Sequence, residues 1–252
     1  MPNIGGLAGA ASLREWEKER EPHKLNIAIL VDGGFFRKRY RNLFKDHKHK
    51  NDAIKVARFL YRRLTDYYVP AGSSLYRLFY YDAPPLDMSV TNPISAHTYK
   101  LANTEFAKFI SAMQDELRYM RKVALRLGRI AVSRNSWVIK PLQTRLLLSG
   151  KIAISDLKPE NVQLAMSQKG VDSRIGLDVA SLSANGRIDV IVLISGDQDF
   201  VPVGKHARRS GIDFILDPMG AHINDMLREH IDGTGEAFTK GGVFEYGHRP
   251  RP

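Results

Sequence analysis

Three apolar runs of this chain end in aspartate, and carboxylates placed that way could carry out metal-assisted hydrolysis. Ile27–Val31 leads into Asp32-Gly33-Gly34, the aromatic run Ser74–Tyr81 into Asp82, and Val190–Ile194 into Ser195-Gly196-Asp197-Gln198-Asp199-Phe200. One aspartate after a strand is an ordinary turn former or helix cap. Several on one rim repel each other and raise each other's pKa unless a cation neutralises them. Mg²⁺ or Mn²⁺ is the economical cation, because both take hard oxygen ligands, a few carboxylates together with water and phosphate oxygens. Gly33 and Gly34 would let backbone or phosphate come close to Asp32, and Gly196 opens the turn that presents Asp197 and Asp199 to one cleft.

A fourth acid stands in Lys169-Gly170-Val171-Asp172. Asp172 can cap the helix expected over 173–184, a structural role worth ~1 kcal/mol and sufficient by itself. Asp178, six residues on, lies roughly 120° further around that helix, so Asp172 is the better candidate and Asp178 a supporting or structural residue.

These acids need elements that bring them together. The continuous β-branched runs at 25–31 and 188–194 read as central parallel strands covered on both faces, joined by further strands at 74–81 and 213–216. With helical patterns between them, the alternation predicts a doubly wound α/β sheet, in which ligands bind beyond the carboxyl ends of the strands. A helix is expected over 104–128, where Met113, Leu117, Met120, Ala124 and Leu127 form an apolar stripe and Arg118, Lys122, Arg126 and Arg129 a basic one. A second basic block, Arg37-Lys38-Arg39-Tyr40-Arg41 onward, follows Asp32. Pro202 and Gly211 bracket a helix over 200–210 whose N-terminus faces the same rim as Asp197. Residues 131–168 read as an elaboration between core elements. The expected organisation is an N-terminal extension over 1–24, one domain over 25–231 and a flexible basic tail over 232–252.

The 252 residues hold 38 Lys plus Arg against 27 Asp plus Glu, a formal net charge of +11, which favours nucleic acid or another polyanion as partner. A hydrophobic fraction of 43% excludes a disordered chain. The absence of cysteine excludes disulfides, thiolate catalysis and cysteine-ligated metals. No secretory signal is evident, since the N-terminus has no basic residue ahead of its mildly apolar stretch. Aliphatic runs stop at five residues, far short of the ~20 that span a bilayer. The expectation is a soluble, cytoplasmic protein with no membrane partner, its oligomeric state open, a homo-oligomer included.

Taken in order, Ile29-Leu30-Val31-Asp32-Gly33-Gly34-Phe35, Tyr80-Tyr81-Asp82-Ala83-Pro84-Pro85, Lys169-Gly170-Val171-Asp172 and Leu193-Ile194-Ser195-Gly196-Asp197-Gln198-Asp199-Phe200 resemble the NYN domain of the LabA-like (DUF88) group, relatives of PIN nucleases. The resemblance runs over about residues 25–220. It implies a Rossmann-like, PIN-like three-layer α/β/α fold with a mainly parallel sheet and a metal-dependent ribonuclease site. The metal-binding and catalytic acids it implies are Asp32, Asp172, Asp197 and Asp199, with Ser195 a polar neighbour and Asp82 a rim residue. The stretch 131–168 departs from the compact members.

On that reading, a divalent ion would activate water against a phosphodiester. Arg37, Lys38, Arg39, Arg118, Lys122, Arg126 and Lys169 would hold backbone phosphates, and Tyr40, Phe44 or Tyr81 could stack on bases. The alternative is a non-catalytic RNA-binding module of the same fold, although clustered acids gain such a module nothing. A HAD-type phosphatase would need a second aspartate where Gly34 stands, a Toprim-like nuclease a glutamate where Asp32 stands, and a dinucleotide-binding enzyme a G-x-G-x-x-G after the first strand.

Overall fold

The computed structural model describes residues 24–246. Most of the expected N-terminal extension and residues 247–252 of the expected tail lie outside them. In chain order the elements are β1 (Asn26–Asp32), α1 (Gly33–Leu43), α2 (Ala53–Tyr68), β2 (Ser74–Asp82), β3 (Ser89–Thr91), β4 (Thr98–Lys100), α3 (Glu105–Arg118), β5 (Val123–Leu127), β6 (Arg129–Ile139), α4 (Pro141–Leu148), β7 (Val162–Lys169), α5 (Val171–Ala184), β8 (Val190–Ile194), α6 (Val201–Arg209), β9 (Asp213–Asp217), α7 (Asp225–Arg228) and β10 (Gly233–Thr234). Six strands form one sheet in the order β10-β9-β8-β1-β2-β5, every adjacent pair parallel. The mixed α/β fold with a parallel, helix-flanked sheet is the PIN-like, Rossmann-like class expected.

Alternation along the central strands builds the three layers. Ile27, Ile29 and Val31 of β1, with Val190, Val192 and Ile194 of β8, join the core beneath α1, α2 and α3. Ala28, Leu30, Ile191 and Leu193 face the opposite core, under α5 and α6. Every residue from Ile27 to Val31 and from Val190 to Ile194 is at most 1% exposed, as continuous apolar runs require when helices cover both faces. Strand order reverses between β1 and β8, so the crevice of the fold opens where Asp32 and the Ser195–Asp199 loop lie.

Two expectations about the elements are corrected and one, the elaboration, is given its form. The helix predicted over 104–128 stops at Arg118, and 123–127 is an edge strand. Its Val123 and Leu125 pack on one core and Ala124 on the other, a period of two that a helical stripe at 3.6 mimics over so short a span. Lys122 turns the corner with a φ of 60°. The elaboration is an antiparallel hairpin, β6 with β7, carrying α4 at its tip. The expected tail does not begin at 232: β10 extends the sheet, Ala237 and Phe238 enter the core, and the Tyr246 hydroxyl donates to the Tyr68 carbonyl at 2.7 Å.

Candidate active site

Register brings the first two acidic loops side by side. Val31 pairs with Ile194, so the next residues, Asp32 and Ser195, leave the sheet as neighbours. Asp32 caps α1: its Oδ1 accepts from the Phe35 amide at 3.0 Å. The Phe35 ring lies against Gly196, where a Cβ would come within 2.9 Å of it, so glycine at 196 is what lets the two loops close on each other. Asp197 accepts from the Asp199 amide at 3.0 Å, and its own amide donates to the buried Ser195 hydroxyl at 3.4 Å. Those bonds make a turn that leaves Asp197 and Asp199 exposed at its tip.

Asp172 completes the group, and not as a cap. Gly170, with a φ of 75°, caps α5, and Asp172 sits exposed in the first helical turn. Among the described residues it makes no hydrogen bond or ion pair. Burial together with the charges of Asp197 and Asp199 pushes its pKa up. Burial, and then the Asp172 charge, likewise raises Asp32 against the opposing bond from Phe35. Asp172 thus links all four acids electrostatically, and no cation among the described residues pairs with it.

Asp82 has a different role from the rim position expected. It is fully buried. Its Oδ2 takes an ion pair from Arg37 and a hydrogen bond from Gln114 Nε2 at 3.0 Å, while Oδ1 accepts from Gln168 Nε2 at 2.9 Å and from the Ala83 amide at 2.8 Å. One carboxylate therefore ties α1, α3 and β7 to the end of β2. Gln168 escaped the sequence reading, since its partner is 86 residues away and no local spacing marks it. Its Oε1 lies 3.1 Å from where a Cβ on Gly34 would stand, next to Asp32. Asp178 is also a tether, accepting from the Tyr81 hydroxyl and Arg126 Nε at 2.8 Å each. Tyr81 is wholly buried and offers no face to a base.

The expected phosphate-binding residues divide sharply. Arg37 is 8% exposed and committed to Asp82. Arg39 donates twice to the Met219 carbonyl, at 3.2 and 2.8 Å. Lys122 Nζ is held by the Leu75 carbonyl, Arg118 pairs with Asp115 at 2.8 Å, and Arg126 lies over the Phe79 ring. Arg118, Lys122 and Arg126 do not share a helix face, because α3 ends before the last two. Lys38 and Lys169 stand exposed, six residues after Asp32 and three before Asp172 in the chain.

The chemistry of the donors suits Mg²⁺ or Mn²⁺: they are hard oxygens that repel one another without a cation. Among the described residues no three His, Asp or Glu side chains stand close enough to hold an ion between them. The fit is therefore to an ion held by one or two carboxylates with water and substrate phosphate, the usual habit of Mg²⁺. No described helix is long and apolar enough to cross a membrane.

Comparison with known proteins adds three findings. A crystal structure of VPA0982, a protein of unknown function from Vibrio parahaemolyticus RIMD 2210633, aligns at 14% identity over 85% of this chain and 94% of that one, with a TM-score of 0.43. No curated protein matches the sequence. Residues 120–229, from the approach to β5 through α7, match the family model of the NYN domain, a span that holds Asp172, Asp197 and Asp199. That match spans 110 of the 252 residues and marks this stretch of the chain as similar to an NYN domain.

Proposed function

We propose that the chain is a divalent-metal-dependent ribonuclease of the LabA-like (DUF88) kind, acting in the cytoplasm, with Asp32, Asp172, Asp197 and Asp199 as its catalytic acids, one or two of which hold the ion directly while the others act on it through bound water. The observation that carries the reading is the electrostatic coupling of these four carboxylates at the strand-order reversal, with Asp172 left unpartnered. Mutual repulsion of this kind costs stability, and neither a cap nor an ion pair accounts for it at Asp172. A bound Mg²⁺ or Mn²⁺ would supply activation of water and charge neutralisation at the scissile phosphate.

The chain's own residues supply the rest. Asp32, fixed by the Phe35 amide, and the Asp197–Asp199 turn would hold the ion between two loops that close on each other at Phe35 and Gly196. Asp172, which no hydrogen bond or ion pair among the described residues occupies, would accept a proton from the attacking water. Lys38 and Lys169 would hold flanking phosphates without reading sequence. Ser195, Asp82 and Asp178 act indirectly, by placing the elements that bear the acids.

The test is cleavage of labelled single- and double-stranded RNA and DNA by the purified chain with Mn²⁺, Mg²⁺ or EDTA, beside Asp32→Asn and Asp172→Asn. Metal-dependent cleavage of RNA that either substitution lowers by about 100-fold or more supports the reading. Cleavage indifferent to EDTA and to both substitutions overturns it. Salt-sensitive RNA binding with no cleavage establishes the non-catalytic module instead.

A further inference from the structure

A cleft lies at the other end of α1. The last turn of this helix, the loop over 44–52 and the first turns of α2 enclose a cleft of about 480 Å³, within the range that takes a nucleotide-sized ligand. Its floor is aromatic. The Tyr40 and Phe44 rings are 4.8 Å apart, and Phe44 meets Phe59 edge-on at 5.3 Å. Phe44 and Phe59 are only half-buried, so part of each ring faces the cleft.

The wall is cationic. Lys55, Arg58, Arg62 and Arg63 line it against one acid, Asp66. Three of these cations have partners: Lys55 lies 3.1 Å from Asp52, Arg58 pairs with Glu116 at 2.7 Å, and Arg63 holds the carbonyls of Ala237 and Lys240. The Arg62 side chain has none among the described residues, although Asp66 stands one turn further along α2. A core-building role explains buried Tyr40. Phe44 and Phe59 pack against the same core with one side, and their open faces lie beneath a surplus of positive charge.

The geometry points to an anchoring subsite for one base and its phosphate in a single-stranded nucleic acid, with the base against Phe44 and Phe59 and the phosphate on Arg62 and Lys55. Such stacking is tolerant of base identity, and the cations need only the phosphate. This inference rests on nucleic acid being the substrate of the acidic site. Because Asp32 caps the start of α1 and the 11 residues of the helix rise about 16 Å, the cleft lies about five stacked nucleotides from the acids. A strand long enough to reach both would be held more tightly than one that covers the acids alone.

Binding of labelled, cleavage-resistant phosphorothioate single-stranded RNA of about 4 and about 12 nucleotides, measured in Mg²⁺ across a salt series, tests this. Arg62→Glu and Phe44→Ala are expected to weaken the longer strand by about tenfold and leave the shorter one unchanged, and Arg62→Glu to reduce the salt slope by about 1. Both residues lie outside the acidic site, and exposed Arg62 serves even if Phe44→Ala loosens the fold. Unchanged affinity for the longer strand, or equal loss at both lengths, overturns the anchor. AMP bound by the wild type and lost in Arg62→Glu, with strand affinity unchanged, overturns it in favour of a free-nucleotide site. Since binding is read on cleavage-resistant RNA, a chain that never cleaves RNA would sink the nuclease reading and leave this result standing.

Discussion

Arg37 and Asp82 form an ion pair closed off from solvent, with side-chain exposures of 9% and 1%. A guanidinium in that position contributes to the site by holding α1, and with it the Asp32 cap, onto β2. Removing one partner leaves a buried charge unpaired, which costs about 3–5 kcal/mol. Arg37→Met is therefore expected to lower the melting temperature by on the order of 10 °C. Adding Asp82→Asn should recover part of that loss, because it removes the orphaned charge. RNA affinity per folded molecule should not change, whereas Lys38→Glu should weaken binding without shifting the melt. A stable Arg37→Met protein that binds RNA poorly would return Arg37 to the surface role its place in a basic block suggests.

The contrast between Arg37 and Lys38 shows what the sequence could and could not tell. Central strands, their order of appearance and the acids at their ends were legible because β-branched runs and strand-terminal aspartates are local signals. The partners of Asp82 were not. Arg37, Gln114 and Gln168 reach it from three distant elements, and nothing in the spacing of Arg37-Lys38-Arg39 says which one turns inward. The 123–127 strand was misread for the opposite reason: its apolar residues satisfy a helical and an alternating pattern alike, and only packing against β2 decides. The contribution of β10 and residues 235–246 was hidden by their Gly-rich composition.

Gly33 and Gly34 make separable predictions. A Cβ on Gly33 would come within 2.6 Å of the Tyr80 ring and 2.7 Å of the Tyr81 carbonyl oxygen, and that backbone atom cannot step aside. Gly33→Ala is thus expected to cost about 1–3 kcal/mol by pushing α1 off β2. A Cβ on Gly34 meets only side chains, first the Gln168 amide oxygen at 3.1 Å. Gly34→Ala should melt within a few degrees of wild type but lose RNA cleavage, because Gln168 and Asp32 are displaced together. Denaturant unfolding beside a cleavage assay separates the two, and equal stability of both variants would remove the packing argument.

Asp178 separates the tethers from the acids. It accepts from Tyr81 and Arg126, and it is not among the charges that act on Asp172 or Asp32. Asp178→Ala should destabilise the fold while leaving intact any rise in melting temperature produced by Mn²⁺. Asp172→Ala should do the reverse, with little change in EDTA and a smaller Mn²⁺-induced rise. Loss of the Mn²⁺ response in Asp178→Ala would put that carboxylate among the ligands.

The acids also impose a pH dependence whose sign is fixed. Burial and the neighbouring Asp172 charge hold the Asp32 pKa above its ordinary 3.8, so the folded chain prefers the protonated form. The resulting stability is complete below about pH 3.8 and is lost as pH rises through the folded-state pKa, leaving a charged Asp32 that disfavours the fold at neutrality. Asn keeps an oxygen for the Phe35 amide and removes the charge. Asp32→Asn is therefore expected to melt a few degrees above wild type at pH 7–8 in EDTA, a gap that about 1 kcal/mol produces in a chain of this size and that closes as pH falls toward 4. Millimolar Mn²⁺ should narrow the gap at neutral pH by stabilising the wild type alone, since a cation offsets the repulsion that Asn has already removed. Melts at each pH with and without Mn²⁺ decide it, and an Asp32→Asn protein less stable than wild type at pH 7–8 in EDTA would mean that the cap outweighs the buried charge.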